Sequence, residues 1–366
     1  MQPRKFLLPP LYSTIHPVRG ASPALRRLEL NEFNMFWYLF RRVLTWHRWL
    51  ILNSEMTPPI GTSVRRLTPD RWMLGSSKVC ERVTTTNPSN AIISWEDGEG
   101  TFYLRERVEE DLLLPEGGLE TGLVHEGGTS AAVWSIGTNA FCKVKAWCEG
   151  LEPESDTIRF VGRNVPCIPL PEVIYSWVDH NWNRSFLILK RVGGQTLRDA
   201  WPRLSPPQRS QIASQIAKYC SKLAGITSFT FESATRRGVL EPFLTLAAER
   251  SHPSWKPRPL GPFSLTDFNS YLSRQSTTHC LNIGPYLHYY HADLGPGNIV
   301  VSEEGNVEGI LDWESAGFYP RCWIASKPML SAGFYLNSTE GTKREAWRDL
   351  LGSMLKKEGF EPGIFT

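Results

Sequence analysis

The sequence lacks any strong excess of one charge. Its 366 residues include 40 Lys and Arg against 37 Asp and Glu, a formal net charge of +3. A protein dedicated to nucleic-acid binding has a marked basic excess, clustered on one face. The near balance of charge therefore argues against nucleic acid as a partner.

Paired cysteines are missing as well. The seven cysteines, at positions 80, 142, 148, 167, 220, 280 and 322, are scattered and contain no C-x-x-C pair. An odd and dispersed set indicates neither a disulfide framework nor a zinc site. A signal peptide is not expected, because the short apolar run Phe6-Leu7-Leu8 is stopped by Pro9 and Pro10. We therefore expect a cytoplasmic protein in a reducing compartment.

An uninterrupted hydrophobic span is also absent. The aromatic-rich residues 33–52 have the length of a membrane helix, but Arg41, Arg42, His47 and Arg48 interrupt them. Each central Arg costs about 2.5–3.5 kcal/mol on insertion scales, so a membrane span is not favoured. Three interpretations stay open: a helix packed on the small lobe, a membrane-surface or partner helix, and an error in the assigned sequence.

One stretch has the spacing of polar residues that phosphoryl transfer requires. His291 and Asp293 form a His-x-Asp pair, Asn298 follows five residues later, and Asp312 lies fourteen residues beyond Asn298. In kinases such an Asp positions the attacking hydroxyl, while the Asn and the later Asp hold Mg²⁺. Magnesium prefers oxygen ligands, and a carboxylate kept off the metal can accept a proton from an alcohol. We predict Asp293 and His291 as catalytic residues and Asn298 and Asp312 as metal ligands.

The local pattern places these residues around a turn and a hairpin. Residues 286–290 read as a strand, and Gly295-Pro296-Gly297 enforces a turn. Residues 299–301 and 307–311 then form a predicted hairpin. Asn298 and Asp312 would lie at the ends of paired strands and face one cleft.

These residues resemble the aminoglycoside phosphotransferase family, in particular its large fungal branch. The resemblance rests on His-x-Asp-Leu-x-Pro-x-Asn from His291 to Asn298 and on Ile-Leu-Asp-Trp-Glu-x-Ala-Gly from Ile310 to Gly317. Protein kinases have Asp-Phe-Gly where this chain has Asp312-Trp313-Glu314, which favours small-molecule kinases. The resemblance covers about residues 120 to 360. It implies a two-lobed, kinase-like fold that uses ATP and Mg²⁺.

A kinase also needs a lysine for the nucleotide phosphates and a glutamate that holds this lysine. Lys143 and Lys145 lie on one face of a predicted strand, because side chains alternate with a period of two. Glu154 begins a segment with helical spacing that resembles the family's glutamate helix. We predict Lys145 with Glu154 as the ion pair, and Lys143 is the reserve.

Two further segments complete the predicted nucleotide site. The hairpin around Gly127, Gly128 and Ser130 lies ahead of the lysine strand, and its small residues let backbone N–H groups approach phosphates. It is not a Gly-x-Gly-x-x-Gly motif, so the prediction of phosphate binding rests more on its position in the chain than on its residues. In the family, the segment that here contains Leu189 and Arg191 binds adenine through backbone groups.

The predicted fold class is therefore α+β, with two kinase-like lobes. Residues 1–90 are predicted as an N-terminal extension and linker, partly disordered with one aromatic-rich helix. Residues 91–192 form a small antiparallel-sheet N-lobe and residues 193–366 a mainly helical C-lobe. The predicted function is ATP-dependent phosphorylation of a small-molecule hydroxyl, and the alternative is a non-catalytic kinase-like scaffold. An aminoglycoside acceptor is not favoured, because Lys343, Arg344, Lys356 and Lys357 occupy the distal segments.

Overall fold

The structure is a computed structural model of the whole chain. It describes residues 58–83, 90–98, 100–112, 122–248, 252–253, 255–274, 279–280, 283–337 and 343–365. The helix predicted within residues 33–52 lies outside the described residues. Among the described residues, no helix is both long enough and apolar enough to cross a membrane.

The first structural layer is a five-stranded antiparallel sheet. Its strands are β1 (Val64–Thr68), β2 (Arg71–Leu74), β3 (Lys78–Val83), β4 (Ala91–Asp97) and β5 (Gly100–Glu106), in the order β1-β2-β3-β5-β4. Short 3₁₀ turns at Ile60–Thr62 and Glu109–Leu112 flank it. Within the predicted N-terminal extension and linker of residues 1–90, residues 64–83 therefore contain three strands instead of a linker. The predicted boundary at residue 91 falls inside this sheet.

The second layer is the sheet that carries the predicted lysine strand. Its strands are β6 (Leu123–Gly127), β7 (Ala131–Ile136), β8 (Ala140–Ala146), β9 (Val173–Asp179) and β10 (Arg184–Lys190), in the order β6-β7-β8-β10-β9. Helix α1 (Glu154–Asn164) lies between β8 and β9 in the chain. The sheet and this helix occupy the predicted N-lobe.

The two sheets share one apolar core. Strand β8 alternates buried Cys142 and Val144 with the less buried Lys143 and Lys145, so its apolar face turns toward the first sheet. That core also contains Trp72, Phe102, Trp134 and Phe186. The first sheet therefore covers one face of the second and leaves the lysine face toward the rest of the chain.

Two buried aspartates join the two layers, each by binding a turn of the other layer. The Asp97 carboxylate on β4 accepts the Thr138 N–H at 2.8 Å, in the turn between β7 and β8. Asp179, at the end of β9, accepts the Ser76 N–H at 2.6 Å, in the turn between β2 and β3. Each contact satisfies a donor that would otherwise be desolvated without a partner.

The C-terminal part is mainly helical, with small sheets around the predicted catalytic segment. Its helices are α2 (Leu197–Ala200), α3 (Pro206–Ala224), α4 (Leu265–Ser273), α5 (Trp323–Leu330) and α6 (Ala346–Lys357), with 3₁₀ turns at Trp201–Arg203, Trp313–Ser315 and Ala332–Phe334. Its strands are β11 (Gln195–Thr196), β12 (Thr227–Ser228), β13 (Thr230–Phe231), β14 (Phe263–Ser264), β15 (His279–Cys280), β16 (Leu287–Tyr290), β17 (Ile299–Val301), β18 (Val307–Ile310), β19 (Gly317–Tyr319) and β20 (Ile364–Phe365). The small sheets are β11-β17-β18, β12-β16-β19, β13-β14 and β15-β20. The predicted α+β class with two lobes is confirmed.

Helix α3 organises the C-terminal core. It begins after Ser205, whose side chain forms a capping box with Gln208. Its apolar face, with Ile212, Ile216 and Leu223, belongs to the same core as the fully buried Trp313 and Trp347. This core supports β16 and the hairpin β17-β18, which carry the predicted catalytic residues on the segments that follow them.

One arginine of the first sheet forms a buried cluster with two carboxylates. Arg105 on β5 donates to Glu81 on β3 at 3.0 Å and to Asp111 at 2.7 Å. The hydrogen bond from Arg105 lowers the pKa of Asp111 from its ordinary value of 3.8. The Asp111 carboxyl group therefore binds a proton more tightly in the unfolded state than in the folded state.

The cluster predicts an acid-dependent loss of stability. Its contribution is present above the unfolded pKa of 3.8 and is lost as pH falls through the lower folded pKa. Asp111→Asn should lower the free energy of unfolding by about 1.5–3 kcal/mol at pH 7, and the difference from wild type should shrink below about pH 4. Urea unfolding between pH 3 and pH 7 measures this, with exposed Glu110→Gln as the control. A difference that stays constant over that range would contradict the prediction.

Candidate active site

His291 orients the segment that follows β16. It is fully buried, and its ring packs against Trp313 with 4.4 Å between the ring centroids. Its Nδ1 accepts the Asp293 N–H at 3.1 Å, which assigns the proton to Nε2, and Nε2 donates to the Leu311 carbonyl oxygen at 3.0 Å. Burial lowers the pKa of His291, in keeping with a neutral ring. The geometry gives His291 a positioning role beside Asp293.

Asn298 fixes the carboxylate of Asp293. Its Nδ2 donates at 2.9 Å both to the backbone oxygen of Asp293 and to its Oδ2. These contacts use the amide donors of Asn298, so its Oδ1 is the atom left for a cation. They also leave Oδ1 of Asp293 for another partner. The two residues predicted for proton acceptance and metal binding are therefore brought together.

The turn between them requires a glycine at one position. A Cβ on Gly295 would lie 2.4 Å from the Gly333 carbonyl oxygen, so any larger residue would push the two segments apart. Gly333 in turn borders the reactive side of Asp293, because a Cβ there would lie 3.5 Å from Asp293 Oδ1. The segment 331–334 therefore lines the approach to Asp293.

Asp312 follows β18 in a left-handed backbone conformation. Its φ is 64° and its ψ is 58°, which turns the chain sharply into the 3₁₀ turn at Trp313. The next N–H, of Trp313, donates to Glu154 Oε1 at 3.1 Å, so α1 holds this turn in place. The Asp312 side chain is thereby directed toward the lysine strand.

Lys143, and not Lys145, holds Glu154. Its Nζ lies 2.5 Å from Glu154 Oε2 and 2.5 Å from Asp312 Oδ1. The predicted pair of Lys145 with Glu154 is therefore wrong, and the reserve residue takes its place. Both lysines lie on the same face of β8, about 7 Å apart along the strand. The position of α1 against the sheet, which strand periodicity does not specify, selects the nearer one.

The charges in this cluster alter one another's ionisation. Burial alone would lower the pKa of Lys143, but the charges of Asp312 and Glu154 outweigh it and raise that pKa. Burial alone would raise the pKa of Asp312, but the charges of Lys143 and Lys145 outweigh it and lower that pKa. The lysine stays cationic and the carboxylate anionic near neutral pH.

Lys145 takes a partner that the sequence reasoning missed. Its ammonium group forms an ion pair with Glu314, in the 3₁₀ turn after Asp312. Burial, followed by the positive charge of Lys143, lowers the pKa of Lys145 to about 8, while the charges of Asp312, Glu154 and Asp293 oppose that shift. The available signal was the carboxylate two residues beyond Asp312 together with the second lysine on β8.

The start of α1 is anchored to the C-terminal part of the chain. Glu152 Oε2 accepts hydrogen bonds from Ser233 Oγ at 2.8 Å and from Thr235 Oγ1 at 2.5 Å. The Gly238 N–H donates to the Gly150 carbonyl oxygen at 3.0 Å. Glu154, two residues after Glu152, is therefore positioned from both lobes.

The predicted phosphate-binding hairpin is the β6–β7 turn. Gly127 ends β6, Gly128 has a φ of +59°, and Ser130 precedes β7. A Cβ on Gly128 would meet no atom within 4 Å, so its backbone conformation and not crowding requires glycine there. The turn leads into Ala131, which pairs with Lys145 across the sheet.

The predicted adenine segment follows β10. Leu189 pairs with Phe141 on β8, and the Arg191 N–H donates to the Asn139 carbonyl oxygen at 2.7 Å. The Arg191 guanidinium donates to the Thr138 carbonyl oxygen at 2.7 Å and lies 4.1 Å from the Phe141 ring centroid. The Arg191 side chain is thus bound to the β7–β8 turn, and adenine binding through backbone groups of this segment stays a prediction.

The oxygen donors around Asp312 fit Mg²⁺. Carboxylate oxygens of Glu154, Asp312 and Glu314 lie within 4.8 Å of one another, and the free amide oxygen of Asn298 is of the same hard type. Magnesium sites in phosphotransferases use one or two protein oxygens and complete the shell with phosphates and water. Asp312 and Asn298 are the residues that would hold the ion beside a nucleotide.

The sequence of the chain matches the model of a known protein family. The family model described as "Phosphotransferase enzyme family" matches residues 123–323, which span the lysine strand, Asp293 and Asp312. No curated protein sequence matches the chain significantly.

Several solved structures are similar to parts of the chain. A thermostable mutant of aminoglycoside phosphotransferase APH(4)-Ia, in a ternary complex with ADP and hygromycin B, has 17% identity, a TM-score of 0.39, and coverage of 64% of this chain and 75% of that chain. Aminoglycoside-3'-phosphotransferase of type VIII has 18% identity, a TM-score of 0.38, and coverage of 68% and 98%. The GDP complex of wild-type aminoglycoside 2'-phosphotransferase-IIIa has 14% identity, a TM-score of 0.37, and coverage of 68% and 86%.

The contacts of His291 predict a structural cost for their removal. His291→Phe keeps a ring beside Trp313 but deprives the Asp293 N–H and the Leu311 carbonyl group of their buried partner. We expect the free energy of unfolding to fall by about 1–3 kcal/mol, measured by urea denaturation. The exposed His180, changed to Phe, should shift it by less than about 0.5 kcal/mol. Equal stabilities of the two variants would contradict the positioning role.

Proposed function

This chain belongs to the phosphotransferase enzyme family, and from that premise we propose that it transfers the γ-phosphoryl group of ATP to a hydroxyl group of a small molecule. One observation carries the proposal. Asn298 binds the Asp293 carboxylate and accepts the Leu311 N–H at 2.8 Å through its backbone oxygen. The next residue, Asp312, is ion-paired with Lys143, which also holds Glu154. These are the groups that positioning and charge neutralisation in phosphoryl transfer require.

In the proposed reaction, Asp293 receives the acceptor hydroxyl. Asn298 occupies Oδ2 of Asp293, so Oδ1 on the Gly333 side accepts the hydroxyl hydrogen bond. The hydroxyl oxygen bonds to the γ-phosphorus as the bond from that phosphorus to the bridging oxygen breaks. The proton passes to the Asp293 carboxylate, and ADP leaves with the bridging oxygen. Mg²⁺, when bound through Asp312 and Asn298, neutralises charge on the phosphate oxygens.

The remaining groups support nucleotide binding. Lys143 presents a cation at the cleft side of β8, and its pairing with Glu154 keeps it extended. The β6–β7 turn supplies backbone N–H groups beside small side chains, an arrangement suited to anions. His291 and the left-handed Asp312 hold the two catalytic segments at fixed positions. None of the groups that phosphoryl transfer needs is replaced by an inert residue.

The test is transfer of labelled γ-phosphate from ATP, with Mg²⁺, to components of metabolite extracts. Wild type should label at least one component, while Asp293→Asn should lose about 10²–10⁴-fold of that rate and still bind ATP. Asp70→Asn, an exposed aspartate on the first sheet, is the matched control and should keep the wild-type rate.

Two results would contradict the proposal. Equal transfer by wild type and Asp293→Asn would remove the assigned role of Asp293. Absence of transfer to every extract, with ATP binding intact, would favour the alternative of a non-catalytic kinase-like scaffold.

A further inference from the structure

The two lysines of β8, Lys143 and Lys145, have different ion-pair partners. Lys143 lies between two carboxylates, Glu154 and Asp312, whereas Lys145 is paired with Glu314. The Lys145 side chain is 19% exposed. Both lysines line a cavity of about 190 Å³ between the sheet and the start of α1. Lys145 is thus a buried cation beside open space.

The strand register places Lys145 closest to the glycine turn. It pairs with Ala131, the first residue of β7, while Lys143 pairs with Val133, two residues further from the turn. The Ala146 N–H, next to Lys145, donates to the Ser130 carbonyl oxygen within the turn at 2.7 Å. A phosphate chain under this turn would therefore meet Lys145 at the turn's end and Lys143 further toward the hinge.

The segment that follows Asp293 supplies no lysine of its own, and the cation that borders it is Arg198, whose guanidinium lies against Gly297. The catalytic segment between Asp293 and Asn298 reads Leu-Gly-Pro-Gly, without a basic side chain. Lys145 is near enough to Asp293 for the two charges to interact. A phosphoryl group in transit to a hydroxyl on Asp293 gathers charge that a nearby ammonium group stabilises.

We propose that Lys145 exchanges its contact with Glu314 for the γ-phosphate of the bound nucleotide, while Lys143 stays between Glu154 and Asp312. This inference rests on the proposed function and goes beyond it, because it gives the two lysines of β8 different roles. Lys145 binds the γ-phosphate, and Lys143 stays paired with the two carboxylates. The exchange is favourable in sign, since a terminal phosphate carries more negative charge than one carboxylate. Lys145 would thereby distinguish ATP from ADP.

The test compares the affinities for ATP and ADP, each with Mg²⁺, by isothermal titration calorimetry. Lys145→Met should weaken ATP binding about tenfold or more, as expected for loss of a charge-assisted hydrogen bond, and leave ADP binding within about twofold. Lys145→Arg should restore most of the preference for ATP. Lys218→Met, at an exposed position on α3, should change neither affinity.

A second variant guards against misfolding. Lys145→Met leaves Glu314 unpaired, whereas Lys145→Met/Glu314→Gln removes that orphan charge and should give the same loss of ATP preference. Equal weakening of ATP and ADP, or no weakening of either, would overturn the role of Lys145. Wild-type protein that binds neither nucleotide would instead overturn the proposed function.

Discussion

The ammonium group of Lys143 is shared by two carboxylates and links three elements of the candidate active site. Lys143 stands on β8, Glu154 on the first turn of α1, and Asp312 beyond β18, and the lysine lies 2.5 Å from each carboxylate. Removing one member of a buried charge cluster leaves the others uncompensated, which is strongly destabilising. The ammonium therefore fixes the distance between β8 and the segment that contains Asp312.

The segment that contains Asp293 is linked to this cluster through a series of contacts. Glu154 also accepts the Trp313 N–H, which holds Asp312 in its left-handed turn. Trp313 packs against His291, and His291 bonds both Leu311 and Asp293. The position of Asp293 is thus linked to that of α1 by a short chain of buried contacts. The first sheet also supports the β7–β8 turn. Asp97 on β4 accepts the Thr138 N–H of this turn, and the Arg191 guanidinium donates to the Thr138 carbonyl oxygen.

The sequence predicted the parts of the site whose spacing is local. His291, Asp293 and Asn298 lie within eight residues, and the hairpin that returns to Asp312 has its own turn and strand signals. Their convergence follows from backbone geometry that each short segment specifies by itself. The α+β class was predicted through the family resemblance that these local motifs carry.

What the sequence did not specify depends on packing between distant elements. Two lysines on one strand face are equivalent until α1 docks, and that docking uses Glu152 with Ser233 and Thr235, about eighty residues apart in the chain. Strands β1 to β3 of the first sheet were missed because Thr, Pro and Ser dominate their surroundings. Their signal was three short segments with apolar residues around Val64, Trp72 and Val79, separated by the turn residues Pro69-Asp70 and Gly75-Ser76-Ser77, and this signal becomes meaningful only against the apolar face of β8.

The most direct measurement is a double-mutant cycle on ATP binding in the presence of Mg²⁺, with Lys143→Met, Glu154→Gln and the double variant. If the two residues act as one unit, each single change weakens binding by about tenfold or more, and the double variant loses little beyond the larger single loss. Independent, additive losses would contradict a shared unit. Wild-type affinity in Lys143→Met would contradict the assignment of this cluster to the nucleotide site.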